Sequence, residues 1–488
     1  MILHLSELVE LYNGKHDPEI KGITHDSRCV EQGWLFAALP GSKDNGARYI
    51  VDAIQHGAVA ILAEPGASIE GAGNQVALVT NDNPRRLFAQ LASKFYGAQP
   101  ETLIAVTGTN GKTSVVDFVR QLWAALSFKS VSIGTLGVRG EGLERSGSLT
   151  TPDSASLHAE LSDLAASGVS HLAMEASSHG LHQSRLDGVR VSAAGFTNLS
   201  HDHLDYHKNM EDYLIAKAHL FEDILLPEGS AVLNADVPEF AELKDRVSAR
   251  GAKIISYGRN AEDIVLKLIE PIANGQRVEF ELGGESYSVK LPLVGEFQVM
   301  NALCALGLVL SEVSLQAQDV VPLLEKLNGV PGRLELIPGH PRGAVYVDYA
   351  HTPDALEKVL VALRPHTQNR LICVMGCGGD RDANKRPLMG KVASAHADMV
   401  VVTDDNPRHE DAQKIREEIK SGATEGAVVM TVPKRGEAII SSIQEMADGD
   451  VLVIAGKGHE KGQIIGDKVE PFDDVSVATA AIEQGEGL

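Results

Sequence analysis

Cysteine is scarce in this chain. The four cysteines among 488 residues are Cys29, Cys304, Cys373 and Cys377, scattered in apolar or glycine-rich surroundings. That excludes a scaffold built on disulfides. Cys373 and Cys377 are near neighbours, but no second pair follows them, so the spacing does not make a zinc site. Positive charge is also short: 44 Lys and Arg stand against 66 Asp and Glu, a formal net charge of −22. A broad basic field for nucleic acid is therefore lacking. An anionic nucleotide is still compatible with this balance, because one loop and one Mg²⁺ can reverse the field locally. Long apolar runs are missing, so no membrane span is expected. The acids Glu7 and Glu10 come too early for a secretory signal. The expected compartment is the reducing cytoplasm, with neither nucleic acid nor membrane as a partner.

What is present is ordinary globular composition, with 43 % hydrophobic and 23 % charged residues, in a chain long enough for two to four domains. One stretch organises the rest. Residues 106–114 read V-T-G-T-N-G-K-T-S. A strand-like run, Leu103 to Val106, precedes them, and apolar residues at helical spacing follow from Val115. Strand, glycine turn and helix form the context of a phosphate-binding loop. Gly108 and Gly111 let main-chain N–H groups face a phosphate, and the helix N-terminus adds partial positive charge. Lys112 can reach the outer phosphates and Thr113 can hold Mg²⁺. The usual pattern has a glycine where this chain has Val106, so the loop is a shorter variant.

Further polar motifs follow predicted strands. The strand at His171 to Met174 ends in E-A-S-S-H, which puts the acid Glu175 near a nucleotide's metal. Another leads into H-D-H-L-D-Y-H, His201 to His207, a polar loop in which one histidine could serve a metal. A helix from Glu211 to Phe221 places Lys217 near its apolar face, where a lysine must snorkel, pair or change its chemistry. P-G-R-L-E at Pro331 to Glu335 suits a hinge. Beyond it, strands at 344–348, 371–375, 399–403 and 451–455 alternate with helical stretches, which predicts a doubly wound parallel α/β domain. Its strand ends carry D-Y-A-H-T-P-D, G-C-G-G-D-R-D, D-D-N-P-R and G-K-G-H-E, and ligands bind at such ends. D-N-P-R occurs twice. At 82–85 it reads as a helix cap with proline in the first turn; at 405–408 it is the functional candidate.

Taken together, G-T-N-G-K-T-S, T-T-P at 150–152, E-A-S-S-H, D-H-L-D-Y-H, Lys217, G-E-F-Q-V-M-N-A from Gly295, P-G-R-L-E, D-Y-A-H-T-P-D and G-K-G-H-E resemble the Mur ligase family over nearly the whole chain. The second D-N-P-R points to the diaminopimelate-adding member. The resemblance implies an α/β, three-domain architecture: a UDP-sugar domain over 1–98, a central P-loop ATPase domain over 99–331, and a C-terminal Rossmann-like domain over 332–488 binding the amino acid. It implies ATP as substrate and Mg²⁺ as cofactor. The substrates implied are UDP-N-acetylmuramoyl-L-alanyl-D-glutamate and meso-diaminopimelate, and a monomer is expected. Gly108, Thr109, Asn110, Gly111, Lys112, Thr113, Ser114, Asn301, Arg333 and Asp348 match ATP-facing positions. Thr113, Glu175 and His203 match magnesium positions, and Lys217 matches a lysine carbamoylated in the family, which would make it an anionic metal ligand. Lys112, Lys217, Glu175 and His203 are the implied catalytic group. Ser27, Ser42, Thr150, Thr151, Ser177, Gln183 and Arg185 match contacts to the UDP-linked substrate. Arg381, Asp405, Asn406, Pro407, Arg408, Gly456 and Glu460 match the amino-acid pocket.

Three alternatives stand beside this reading. A lysine-adding ligase would keep the chemistry but change the pocket. A folylpolyglutamate synthetase-like enzyme shares the P-loop and the logic of carboxylate activation. A non-catalytic nucleotide-binding switch would bind ATP without substrate-dependent phosphate release.

Overall fold

Short apolar strands separated by polar turns build the first sheet. The structure, a computed structural model, describes residues 2–485 apart from 11, 13, 15, 42–44, 70–74, 146, 148, 204, 205, 273 and 274. Strands β1 (Gly22–Thr24), β2 (Trp34–Ala37), β3 (Ala58–Ala63) and β4 (Ala77–Thr80) pair in parallel in that order. Helix α1 (Pro84–Tyr96) follows. Asn83 caps it by accepting from the Arg86 N–H and Pro84 fills the first turn, as the first D-N-P-R predicts. Its Phe88, Leu91 and Phe95 pack on Leu35, Ala60 and Leu62 of the sheet.

The second sheet carries the phosphate loop. Its parallel core is β5 (Thr102–Thr107), β6 (Ser130–Gly134), β7 (His171–Glu175), β8 (Val191–Phe196) and β9 (Leu225–Asn234), in the spatial order β6-β7-β5-β8-β9. These strands are buried on both faces and read as continuous apolar runs. Helices α2 (Lys112–Ala125), α3 (Ser154–Ala166) and α4 (Met210–His219) alternate with the strands. The strand expected at 131–136 stops at Gly134, because the Thr135 N–H turns away to donate to the Glu175 carboxylate at 2.8 Å.

Contacts divide the chain into two units, Met1–Gly108 with Val119–Ile255, and Thr109–Phe118 with Ser256–Leu488. The first sheet and the parallel core of the second lie in the first unit, whereas the first turns of α2 belong to the second. The second holds an antiparallel run unread in the sequence, β10 (Ile264–Ile272), β11 (Gly275–Leu282) and β12 (Glu285–Leu291), followed by the buried helix α5 (Glu296–Leu310). The alternation Val278, Phe280, Leu282 is the signal that marks it.

The last sheet contains β13 (Glu335–Ile337), β14 (Gly343–Asp348), β15 (Leu371–Met375), β16 (Met399–Val402), β17 (Val428–Thr431) and β18 (Asp450–Ala455). Their order is β13-β14-β18-β15-β16-β17, with only β13 antiparallel to its neighbour. Apolar clusters cover both faces. Helices α6 (Pro353–Leu363), α7 (Lys385–His396), α8 (Arg435–Gln444) and α9 (Asp474–Gly485) supply the covering side chains. The carboxyl ends of β14, β15, β16 and β18 thus fall on one edge, and each carries a polar motif.

Candidate active site

In the first unit the site residues grow from adjacent strand ends. Glu175 ends β7 and is 1 % exposed. Its carboxylate accepts from the Thr135 N–H at 2.8 Å and the Thr135 hydroxyl at 3.2 Å. The Thr151 hydroxyl donates to the Glu175 carbonyl at 2.9 Å and accepts from the Ser177 N–H and hydroxyl, each at 3.0 Å. Arg185 donates to the Thr151 carbonyl at 2.7 Å and to Gln183 Oε1 at 2.8 Å. Thr150 Oγ1 lies 3.1 Å from Thr135 Oγ1. The structure therefore brings Thr150, Thr151, Glu175, Ser177, Gln183 and Arg185 together. Ser27 is buried in the turn after Asp26, and the neighbouring His25 lies 3.7 Å from Asp153, the cap of α3. Ser42 lies outside the described residues.

Lys217, read from sequence as near an apolar face, is 1 % exposed. Its Nζ donates to the Gly108 carbonyl at 2.9 Å and sits 4.2 Å from the centre of the Tyr213 ring. Gly108 has φ +143° and a Cβ there would overlap the Thr197 hydroxyl, so the position is restricted to glycine twice over. His203 is exposed, with φ +54°, and its ring meets those of His179 and Tyr213 at 4.9 and 6.2 Å. His207 is buried, and burial first, then the charges of His179, His182, Lys217 and His203, lowers its imidazole to about 4.

In the second unit, Lys112 Nζ donates to the Thr109 carbonyl at 2.8 Å and Asn110 donates to Asp354 at 3.2 Å. Gly111 has φ +91°, and Thr113 and Ser114 are buried in the first turn of α2. Asn301 donates to Gln298, whose amide reaches the Arg333 carbonyl at 3.3 Å. The Arg333 guanidinium stacks 4.5 Å over the Tyr349 ring. Asp348 accepts from the Leu334 and Ala350 N–H groups, both at 2.7 Å. Burial raises its carboxyl above the usual range, and Arg333 and these two N–H groups offset only part of that.

The edge of the last sheet brings together Asp405, Asn406, Pro407, Arg408, Gly456 and Glu460. Arg408 has φ +52°, rare for a residue with a side chain. Its backbone is held both ways, N–H to Ile464 at 3.0 Å and carbonyl from Gly466 at 2.8 Å, and its side chain donates to the Gly379 carbonyl at 2.8 Å. Asn406 donates to Glu460 at 3.0 Å. Arg381 is exposed beside the same glycine turn, its Cγ 3.8 Å from a Cβ built on Gly378. Sequence reasoning missed three buried cations here. Lys457 pairs with Asp405 and Glu460, Arg386 with Glu410 and Glu418, and Arg435 with Asp474. The available signal for Lys457 was a lysine just beyond an apolar strand, the second letter of G-K-G-H-E.

Among the described residues, no three His, Cys, Asp or Glu side chains stand close enough to share a metal, and no helix is long and apolar enough to cross a membrane. A glycine loop between a strand and a helix, a buried carboxylate on the neighbouring strand and a cluster of charged side chains at the edge of the last sheet mark an α/β protein with a loop of the phosphate-binding type. Comparison with known proteins narrows the class. Residues 19–96 match "Mur ligase family, catalytic domain", 106–309 "Mur ligase middle domain" and 332–458 "Mur ligase, glutamate ligase domain". The UDP-N-acetylmuramoyl-L-alanyl-D-glutamate–2,6-diaminopimelate ligase of Agrobacterium fabrum is 48 % identical over 470 residues, 96 % of this chain and 94 % of that protein. The enzyme of the same name from Rhizobium meliloti is 50 % identical over 461 residues, 93 % of each. A solved structure bearing that enzyme name aligns over 100 % of both chains at 33 % identity with a TM-score of 0.75. A folylpolyglutamate synthase of Mycobacterium tuberculosis, 21 % identical with a TM-score of 0.63 over 82 % of this chain and 94 % of its own, shares the fold alone. The chain belongs to the Mur ligase family.

Proposed function

We propose that the protein joins meso-diaminopimelate to the D-glutamyl side-chain carboxylate of UDP-N-acetylmuramoyl-L-alanyl-D-glutamate at the expense of ATP, a step in making peptidoglycan precursor. The supporting observation is that Arg408, its guanidinium held on the Gly379 carbonyl, stands at the same sheet edge as Asn406 and Glu460, which are hydrogen-bonded to each other. Diaminopimelate differs from lysine by a distal carboxylate beside the distal amine. Arg408 can take that carboxylate through two parallel hydrogen bonds, and Glu460 can pair with the ammonium. Lysine would leave the arginine without its anion, a costly mismatch.

The chemistry needs no protein nucleophile. The glutamyl carboxylate attacks the γ-phosphorus of ATP and ADP leaves, giving an acyl phosphate. The neutral amine of diaminopimelate attacks that carbonyl, phosphate departs, and the amine loses a proton as the amide forms. Lys112 and the loop N–H groups hold the phosphates, Arg185, Thr151 and Ser177 orient the UDP-linked substrate, and Asn301, Arg333 and Asp348 face the nucleotide. Glu175 supplies a buried, oriented carboxylate and Thr113 a hydroxyl, hard oxygen donors that fit Mg²⁺; His203 is the third proposed ligand. Mg²⁺, when bound with ATP, would neutralise phosphate charge. Lys217 is proposed to carry an N6-carboxyl group, which would turn its buried ammonium, now on the Gly108 carbonyl, into an anion able to support Mg²⁺. The cytoplasm is the proposed compartment, in a monomer.

The test is mass spectrometry of the product formed from ATP, Mg²⁺, the UDP-linked dipeptide and meso-diaminopimelate. The expected product is the nucleotide substrate plus one diaminopimelate less one water. An unchanged nucleotide substrate in the presence of active ATP binding would overturn the reading.

A further inference from the structure

Lys457 leaves the buried strand β18 through Gly456, whose φ of +118° turns the chain there. Its side chain is wholly buried. The three ammonium protons meet three oxygens: Asn406 Oδ1 at 3.0 Å, Glu460 Oε2 at 3.1 Å and Asp405 Oδ1 at 3.5 Å. Asn406 and Glu460 are further joined at 3.0 Å, and Asn406 Oδ1 also accepts from the Ile464 N–H at 2.9 Å. The bonds from Asn406 and Lys457 to the Glu460 carboxylate both fall on Oε2, and that side chain is 36 % exposed. Glu460, assigned above to the substrate ammonium, is thus held by an ammonium of the protein, directly and through Asn406. Asp405, Glu460 and Lys457 together carry one net negative charge and Arg408 at the same edge carries one positive, which matches a distal group bearing one ammonium and one carboxylate.

We propose that Lys457 is a positioning residue for the incoming amino acid: directly and through Asn406 it holds Glu460 where that carboxylate receives the distal ammonium. This rests on the ligase reading above. A lysine that merely ties the 405–406 segment to the 456–460 turn would, when lost, lower thermal stability without singling out one substrate. A positioning lysine acts on one KM. Leaving Asp405 and Glu460 without their cation lets the acceptors separate, and misplacing such groups weakens recognition of the one ligand they contact.

The experiment uses the full chain and initial rates of phosphate release, with each of the three substrates varied in turn. Lys457→Met should raise the KM for meso-diaminopimelate about 30-fold, while the KM values for ATP and the UDP-linked dipeptide stay within about 2-fold. Asp405→Asn with Lys457→Met balances the buried charge again. This double variant should recover the thermal midpoint lost in the single variant, yet keep its diaminopimelate KM at least about 10-fold above that of Asp405→Asn alone. If Lys457→Met does not fold, the double variant carries the kinetic test. A unchanged diaminopimelate KM, a rise shared by all three substrates, or a KM restored together with the midpoint would overturn the proposal. A wild-type protein that releases no phosphate with any diamino acid would overturn the ligase reading and this inference with it; wild-type turnover with unselective variants overturns this inference alone.

Discussion

The ε-nitrogen of Lys217 donates to the carbonyl of Gly108 across 2.9 Å, so a wholly buried amine on α4 meets the first glycine of the phosphate loop. The Tyr213 ring closes the other side, 4.2 Å from the same nitrogen. Such a cation is expensive to bury unless its chemistry is used. Replacing Lys217 with Met should lower kcat by at least about 100-fold, because the carboxylated amine proposed to act beside the phosphate loop is lost. Supplying ¹³C-bicarbonate should give a carbamate resonance in the wild type that the variant lacks. Full turnover by the variant would contradict the role.

Gly134 and Glu175 make a second pair that turns on one atom. A Cβ on Gly134 would overlap the Glu175 carboxylate, which is fixed by Thr135. Gly134→Ala must therefore displace the proposed magnesium ligand. The Mg²⁺ concentration for half-maximal phosphate release should rise about 10-fold or more, the scale on which disturbed ligand orientation weakens metal sites. An unchanged Mg²⁺ titration would show that Glu175 does not serve the metal.

These residues also show what a sequence can and cannot carry. The loop at 106–114, the strand-end acid Glu175 and the polar ends of β14, β15, β16 and β18 were legible because each depends on local order along the chain: strand, turn, helix. The cap at Asn83 was legible for the same reason. Burial of Lys217 was only half legible, since helical spacing gives a face but not the Gly108 carbonyl that meets it. For Lys457 the motif was legible but its burial and partners were not, and Arg386 and Arg435 gave no signal. Apart from Glu460, three residues beyond Lys457, their acidic partners lie far away in sequence, as with Lys457 and Asp405 or Arg435 and Asp474, and only the fold brings them together.

Arg435 and Asp474 are both 0 % exposed and meet through bonds of 2.7 and 2.6 Å, while Arg435 also donates to the Ala455 carbonyl at the end of β18. Removing one partner leaves a buried charge alone. Arg435→Met should cost about 3–5 kcal/mol of stability, measured by urea denaturation. Arg435→Met with Asp474→Leu should recover most of it. Equal stability of the single variant and the wild type would contradict the account.

His158 is 3 % exposed, its Nε2 has no hydrogen-bond partner among the described residues, and burial with the nearby Arg190 charge lowers its imidazole to about 4. Between pH 6.5 and about 4 the unfolded chain binds the proton that the folded chain refuses. Stability from this group is therefore complete above pH 6.5 and falls as pH drops through that window, by about 3 kcal/mol at the acid end. His158→Phe should flatten the pH dependence of the thermal midpoint between pH 4 and 6.5, on the scale of that linkage. A variant with the wild-type slope would remove His158 from the account.

Arg408 is held with φ +52° by the bonds to Ile464, Gly466 and Gly379, so its guanidinium is oriented before any ligand arrives. Arg408→Ala should collapse turnover of meso-diaminopimelate by about 100-fold in kcat/KM while ATP affinity stays within about 2-fold. Equal losses for both would mean that the arginine supports the domain and not the substrate.

The central claim is tested most directly by phosphate release from the wild-type protein with ATP, Mg²⁺ and UDP-N-acetylmuramoyl-L-alanyl-D-glutamate, comparing meso-diaminopimelate with L-lysine. Release with diaminopimelate and little with lysine is the predicted result. Release with lysine alone would keep the fold and the acyl-phosphate chemistry but contradict the pocket assigned to Asn406, Arg408 and Glu460.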